Sequence, residues 1–317
     1  MITNKRFNTF ALALLLFAVC AAQHTSAQNQ PLRLPRPSQK ASVMQTIGVT
    51  DIAITYSRPV VKGRKIWGDA PAGTAAGTAT LDGALPKDAP LVPYGRVWRT
   101  GANEATLFEV SDSVVVNGQP LPAGRYSLHT IPGKEEWTII FNKEDGQWGS
   151  YSYDEKKDAL RIKAKPQIVA DNQEVLMFGF DLVTDNSAQI NLRWEKLRLP
   201  FTVEVKDVNT LALEKARAAV AAAKPDDWQT RMQAANFAFQ NKLNIDEAVQ
   251  WLDQSIKIKE TFNNVGLRAR VLAGQNKFAE AVAAGEKAIQ LGKAANANPQ
   301  AIANLEKLVA EWRAKKQ

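Results

Sequence analysis

The strongest constraint in this sequence is a change of hydrophobic period near residue 207. Before it, short alternating segments are separated by Gly, Pro, Asn and Asp. After it the chain is Ala-rich and poor in Pro and Gly, and apolar residues recur at helical spacing. Period 2 places alternate side chains on opposite faces of a strand, and period 3.6 places them along one stripe of a helix. The sequence therefore predicts a multidomain β + α chain. It has an antiparallel β-sandwich or barrel-like domain over 28–207 and an α-helical region over 208–317.

In the β half, Ile52, Ile54 and Tyr56 alternate with Ala53, Thr55 and Ser57. Val114–Val116 runs into Asn117-Gly118, a type I′ hairpin signal because both central residues tolerate positive φ. Tyr126, Leu128 and Thr130 share one face of the next strand, and Arg125, Ser127, His129 and Ile131 the other. Trp137/Ile139/Phe141, Leu160/Ile162, Leu176/Phe178/Phe180/Leu182, Ile190/Leu192/Trp194 and Phe201/Val203/Val205 repeat the alternation. About eight or nine short strands with no helix between them argue for an antiparallel sandwich or barrel. Residues 68–90, rich in Gly, Ala, Thr, Pro and Asp, have little to bury and read as a flexible surface insertion.

The helical half repeats. Glu247-Ala248-Val249 aligns with Glu280-Ala281-Val282, and Ile256 with Ile289, at a spacing typical of tetratricopeptide units. Ala269, Ala281 and Ala288 are placed for close helix crossing, and Phe278 opens a helix. Ser255 and Leu252 make the first unit less regular, Leu252 filling the position that Gly285 leaves empty. Pro225 is read in a first helical turn with Asp226 and Asp227, Asn244 as a cap, and Asn298-Pro299 as a cap followed by Pro at the first helical position. With one helix at about 209–223, the expectation is five or six helices docked on the β domain.

Residues 1–27 read as a secretory signal: Lys5-Arg6, an apolar run from Phe10 to Val19, and small residues before Gln28. The run is too short for a membrane span. Cys20 follows the bulky Val19, which disfavours lipid attachment there. The expected destination is the periplasm of a Gram-negative cell. Cleavage after Ala27, with Ala21 or Ala22 as the alternative sites, takes away the single Cys, one of the two His and two of the +8 formal charges. With one Cys in the whole sequence, a disulfide framework and a thiolate metal cluster are excluded. The remaining basic charge is spread without a Lys/Arg block longer than a pair, so no nucleic-acid face is expected.

Phosphate loops ending in Gly-Lys-Ser/Thr, Gly-x-Ser-x-Gly elbows and His-Glu-x-x-His are all missing from the sequence. What remains is a polar constellation of Arg58, Arg64, Arg99, Asn103, Glu104 and His129. If these converge, the arginines would bind an anion bidentately, and His129 with Glu104 would serve as acid and base. The bland alternative is a set of ion pairs and hydrogen bonds holding irregular loops together. Among the tryptophans, Trp137 and Trp194 read as core. Trp67 and Trp148, beside glycines, read as candidates for stacking on a glycan.

The segments Leu34–Lys40, Ile54–Pro59, Lys62–Lys65, Val92–Ala105, Pro122–Pro132, and Asn142-Lys143 through Gln147-Trp148-Gly149 carry a resemblance. Together they resemble the secreted bacterial family catalogued as domain of unknown function 2911, over about residues 32–206. The run Trp98-Arg99-Thr100-Gly101-Ala102-Asn103-Glu104 is its most specific part. The resemblance implies an exported β-rich domain. It implies no established activity, so it transfers no catalytic residue, and the segment 68–90 departs from it.

The function expected from these readings is that of an exported binding or scaffold protein. The β domain would take an envelope component or a small anionic or glycan ligand, and the helical repeats a protein or peptide. No cofactor or metal is called for. The competing expectation is a periplasmic hydrolase or isomerase built on His129, Glu104 and the arginines.

Overall fold

The computed structural model describes residues 34–72 and 88–315. The leader and most of the 68–90 segment lie outside the described residues.

The β region builds two main sheets around one core. The six-stranded sheet contains β1 (Gln39–Ile47), β2 (Thr50–Arg58), β5 (Thr106–Val110), β8 (Gly124–Ile131), β9 (Trp137–Asn142) and β10 (Asp158–Ala164), in that spatial order. The four-stranded sheet runs β11 (Gln167–Asp181), β12 (Ser187–Glu204), β6 (Val114–Val116) and β7 (Gln119–Leu121). A short parallel pair, β3 (Trp67–Gly68) and β4 (Val92–Pro93), flanks them. Pleat alternation sends Ile52, Ile54, Phe108, Leu128, Ile139 and Phe141 of the first sheet into the same core as Leu192, Trp194, Phe201 and Val203 of the second. At one margin Val60 bridges Val175, and at another the Asn117 amide donates to Lys163 O, so loops tie the sheets together.

Local chemistry explains the turns. Asn117 (φ 44°) and Gly118 (φ 82°) both adopt the left-handed conformation that the β6–β7 hairpin demands. The strand inventory differs from the expectation in two ways. Twelve strands are present among the described residues: β3 and β4 are too short to show a period, β1 is a half-exposed edge rich in polar residues, and the five-residue β5 was not among the runs read from the sequence. Conversely, the Ile190–Trp194 and Phe201–Val205 runs are one strand, β12. It bends at Glu195 (φ 54°), opposite register shifts in β11, and a bulge of this kind lets a strand bend without ending.

Six helices follow: α1 (Val208–Ala222), α2 (Trp228–Gln240), α3 (Ile245–Ile258), α4 (Phe262–Gly274), α5 (Phe278–Ala294) and α6 (Pro299–Lys315). α4 starts 34 residues after α2, and α5 starts 33 after α3. Asn244 caps α3 by accepting from Glu247 N, and Pro299 is the first residue of α6 behind Asn298. Pro225 is not in a helix. The helix begins at Trp228, because the Asp227 carboxylate accepts from Thr230 N and fixes the start there. Close packing of α5 on its neighbours uses the small residues: Ala269, Ala281 and Ala288 are fully buried, and a Cβ at Gly285 would overlap Cγ2 of Val309.

α1 joins the two regions. Val208 and Leu211 pack against the β core, while Leu213, Ala216 and Val220 pack against α2 and α3. Lys215 Nζ reaches Val49 O and the Asp112 carboxylate, both at 2.7 Å.

Candidate functional site

β8 is buried on both faces. Its inner face joins the core, and its outer face carries Ser127 and His129, opposite Asn142 and Ile140 of β9. Ordinarily that outer face would meet solvent. Here it is covered by the connection Lys143–Lys157, whose ends close through Lys143 N to Lys157 O at 2.9 Å. A loop of this length with its ends together and its own side chains packed beneath it is an Ω-type strap.

Side chains on the underside of the strap form a buried polar network with β8. Ser127 Oγ lies 3.0 Å from His129 Nε2, and Ser150 Oγ lies 3.3 Å from Nδ1. A neutral imidazole accepts at one nitrogen and donates at the other, so the two hydroxyls satisfy it. The Gln147 amide donates to Glu144 O at 2.9 Å and stands 3.5 Å from Ser127 Oγ. Tyr153 stacks obliquely on the imidazole, centroids 5.1 Å apart, and donates to Asp158 Oδ2 at 2.8 Å. Asp158 also accepts from Asn142 Nδ2 and Arg161 Nε.

The Trp98–Glu104 loop braces the strap from the other side. Gly149 N donates to Asn103 O, and Ala105 N to Gln147 O. Arg99 Nη1 donates to the same Asn103 oxygen at 2.9 Å. Thr100 and Asn103 take positive φ, and a Cβ at Gly101 would stand 3.0 Å from Ser57 O, so a side chain there would press on the backbone of β2.

Of the six constellation residues, the structure groups His129, Arg99, Asn103 and Glu104 around the strap. Glu104 bridges Trp148, and Arg99 is near enough to His129 to act on its charge. Arg58 and Arg64 serve other partners. Arg58 Nε donates to Leu176 O, and Arg64 donates to Val60 O and Val61 O. Trp67, read as a stacking candidate, instead packs edge-on against Trp98, Trp137 and Trp194, with centroids 5.1–5.7 Å apart. Trp67 and its neighbouring Gly68 are themselves the paired residues of β3, opposite Val92 and Pro93 of β4, and the indole joins the core. Trp148 is 53% exposed. Gln147, Ser150, Tyr153 and Asp158 were not singled out by sequence. The sequence signal for them is a strand-free, Gly- and Asp-containing run between two clear strands.

Electrostatically the imidazole is held neutral. Burial pushes the His129 pKa down to about 4; Asp158 opposes this and Arg99 adds to it. Burial, then the bond to Asp158, raises the Tyr153 phenol above its ordinary value. His129 is 0% exposed, and Ser127 and Ser150 are 1% exposed each, so in this closed arrangement no substrate touches the three. The base-like contact between Nε2 and Ser127 lacks a carboxylate on Nδ1, where Ser150 stands instead. Among the described residues, no cluster of three or more His, Cys, Asp or Glu is arranged to hold a metal ion, and no helix is long and apolar enough to cross a membrane.

A family model, described as a protein of unknown function (DUF2911), matches residues 38–203. No curated protein and no solved structure matches the chain.

Proposed function

The chain belongs to the DUF2911 family, and on that premise we propose that it is an exported, non-enzymatic binding or scaffold protein. In this reading residues 1–27 direct export to the periplasm and are removed. The β domain engages a ligand or envelope component, and the helical region, as tetratricopeptide-like repeats, receives a peptide or protein.

The observation that carries the reading is a groove of about 210 Å³ between α2 and α4. Met232 and Asn236 line it from α2, and Phe262, Asn263, Leu267 and Arg270 from α4. Apolar side chains interspersed with amides suit an extended backbone, whose own N–H and C=O groups need partners when covered. Arg268 pairs with Asp253, whereas Arg270, two residues on, has no acidic partner among the described residues. Its charge is available to an incoming carboxylate.

The hydrolase or isomerase alternative requires His129 and Glu104 in an open cleft. The covered imidazole, neutral far below pH 7, supports an anchoring role for the network instead.

The test is selection of a displayed random-peptide library on the full chain, followed by calorimetry of enriched peptides against wild type and Arg270→Glu. Binding in the micromolar range, weakened about tenfold by the substitution, is the expected result. Enriched peptides that bind both proteins equally would overturn the groove assignment, and no enrichment would overturn the scaffold reading.

A further inference from the structure

Three arginines of the β region differ in one respect. Arg58 donates through Nε to Leu176 O, and Arg64 through Nε and Nη2 to Val61 O and Val60 O, so backbone carbonyls satisfy both. Arg96 is more deeply covered, with 8% of its surface exposed. Its Nε and Nη2 are buried and have no hydrogen-bond partner among the described residues, and no carboxylate there pairs with it. A guanidinium buried in this way has given up water and gained no acceptor, which is costly. An orphan of this kind calls for a cause.

The backbone fixes its place. Gly95 N donates to Pro132 O at 2.8 Å and Trp98 N to Thr130 O at 2.7 Å, so residue 96 is held between two attachments to the β8–β9 end of the sandwich. Tyr94 N donates to Gly68 O at 2.7 Å and ties the same run to β3. Tyr94 and Gly95 are only half-buried, which puts Arg96 beneath the surface layer and not in mid-core. This end is rich in donors and poor in acceptors. Trp98, two residues on, packs on Trp67, Trp137 and Trp194, and the Nε1 atoms of those three indoles are also buried without a partner.

The orphaned atoms name the ligand. Nε and Nη2 carry parallel N–H bonds along one edge of the guanidinium, and that edge matches the two oxygens of a carboxylate. The chain uses the same edge elsewhere: Nε and Nη2 of Arg217 donate to the Glu247 carboxylate at 2.8–3.0 Å. At Arg96 the protein supplies no such carboxylate. One positive charge asks for one negative charge, and a side chain so nearly covered admits a small molecule and not a protein surface.

We propose that Arg96 anchors the carboxylate of a small organic acid at the end of the sandwich where residues 92–98 cross the β8–β9 turn. The proposal rests on the reading of the β domain as the ligand-binding part, and it is independent of the α2–α4 groove.

The experiment uses the full chain, with sodium acetate and sodium benzoate as probes and sodium chloride of equal ionic strength as the reference. Saturation-transfer NMR detects binding, and urea denaturation measures it. At least one acid is expected to bind with a Kd in the millimolar range. At ten times Kd the folding equilibrium constant of the wild type should rise about elevenfold. Arg96→Met should abolish this response, and Arg96→Lys, which keeps the charge without the fork, should weaken binding about tenfold. In chloride alone Arg96→Met should be at least as stable as the wild type, because it removes a buried charge that has no acceptor. A less stable Met variant would show that the fold itself satisfies the fork and would overturn the proposal. Binding that persists in Arg96→Met would overturn this site while keeping the β domain as a ligand binder. Binding lost in Arg270→Glu would place the acid in the groove and overturn it equally. No binding of either acid would leave the fork to water and end the proposal.

Discussion

Replacing His129 by Gln should flatten the acid limb of the protein's stability profile. In the folded chain the imidazole titrates at about 4, against about 6.5 when unfolded. At pH 7 both forms are mostly neutral and the difference has no effect. As pH falls through 6.5 the unfolded imidazole takes up a proton and the folded one does not, so the unfolded state gains free energy relative to the native state. The loss grows by about 1.4 kcal/mol per pH unit until the folded group also titrates near 4, and it then levels off at about 3 kcal/mol. Asp158, which favours the imidazolium, and Arg99, which opposes it, are the charges facing the ring and are already contained in this figure. Gln is close in reach, uncharged, and able to donate and accept between Ser127 and Ser150. Urea denaturation of the two proteins from pH 7 to 4 is the assay. Subtracting the curves cancels the carboxylates that titrate in the same range. The difference in unfolding free energy should shift by about 3 kcal/mol in favour of the Gln variant on acidification. Parallel curves would show that His129 does not stay neutral in the fold, and the account of the buried network would be wrong.

Two further substitutions probe the helices and their attachment. Gly285→Ala should loosen α5 against α6 by overlapping Val309, partly offset by roughly 1 kcal/mol of helix propensity; in a Val309→Ala background the same change should become stabilising, read by hydrogen exchange of α5 and α6 amides, and an equal effect in both backgrounds would refute the contact. Lys215→Met should lower thermal stability by about 1 kcal/mol, since the Asp112 side chain is largely buried and depends on hydrogen bonds from Lys215 and Ser111 to stay below its ordinary pKa despite desolvation; an unchanged melting temperature would mean α1 is held by its apolar contacts alone.

What the sequence disclosed follows from how local each signal is. The Asn117-Gly118 turn, the Asn244 cap and the Asn298-Pro299 helix start are set by residues within one turn of each other, and they form as read. The period change near 207 is averaged over many residues and survives local noise, so the β-then-α order was legible. The joining of two runs into β12 depends on a bend at Glu195 that no periodicity signals. The constellation was legible only in part. His129, Arg99, Asn103 and Glu104 meet because one loop is braced against another, whereas Arg58 and Arg64 hold backbone carbonyls elsewhere. The strap residues were invisible for a physical reason: Gln147, Ser150 and Tyr153 gain their meaning from a β8 face 20 or more residues away, and their own run has no period to report it.

α1 gives one side to the β core through Val208 and Leu211 and another to the helical core through Leu213, Ala216 and Val220. A polypeptide cut at 207 would leave one fragment with an uncovered apolar patch and the other with a terminal helix whose β-facing residues have lost their support. The visible border between strands and helices is thus a change of secondary structure and not a seam. Heat, denaturant or pulling force applied to either half should be felt by the other through this shared element, and the two halves are best expected to melt as partners.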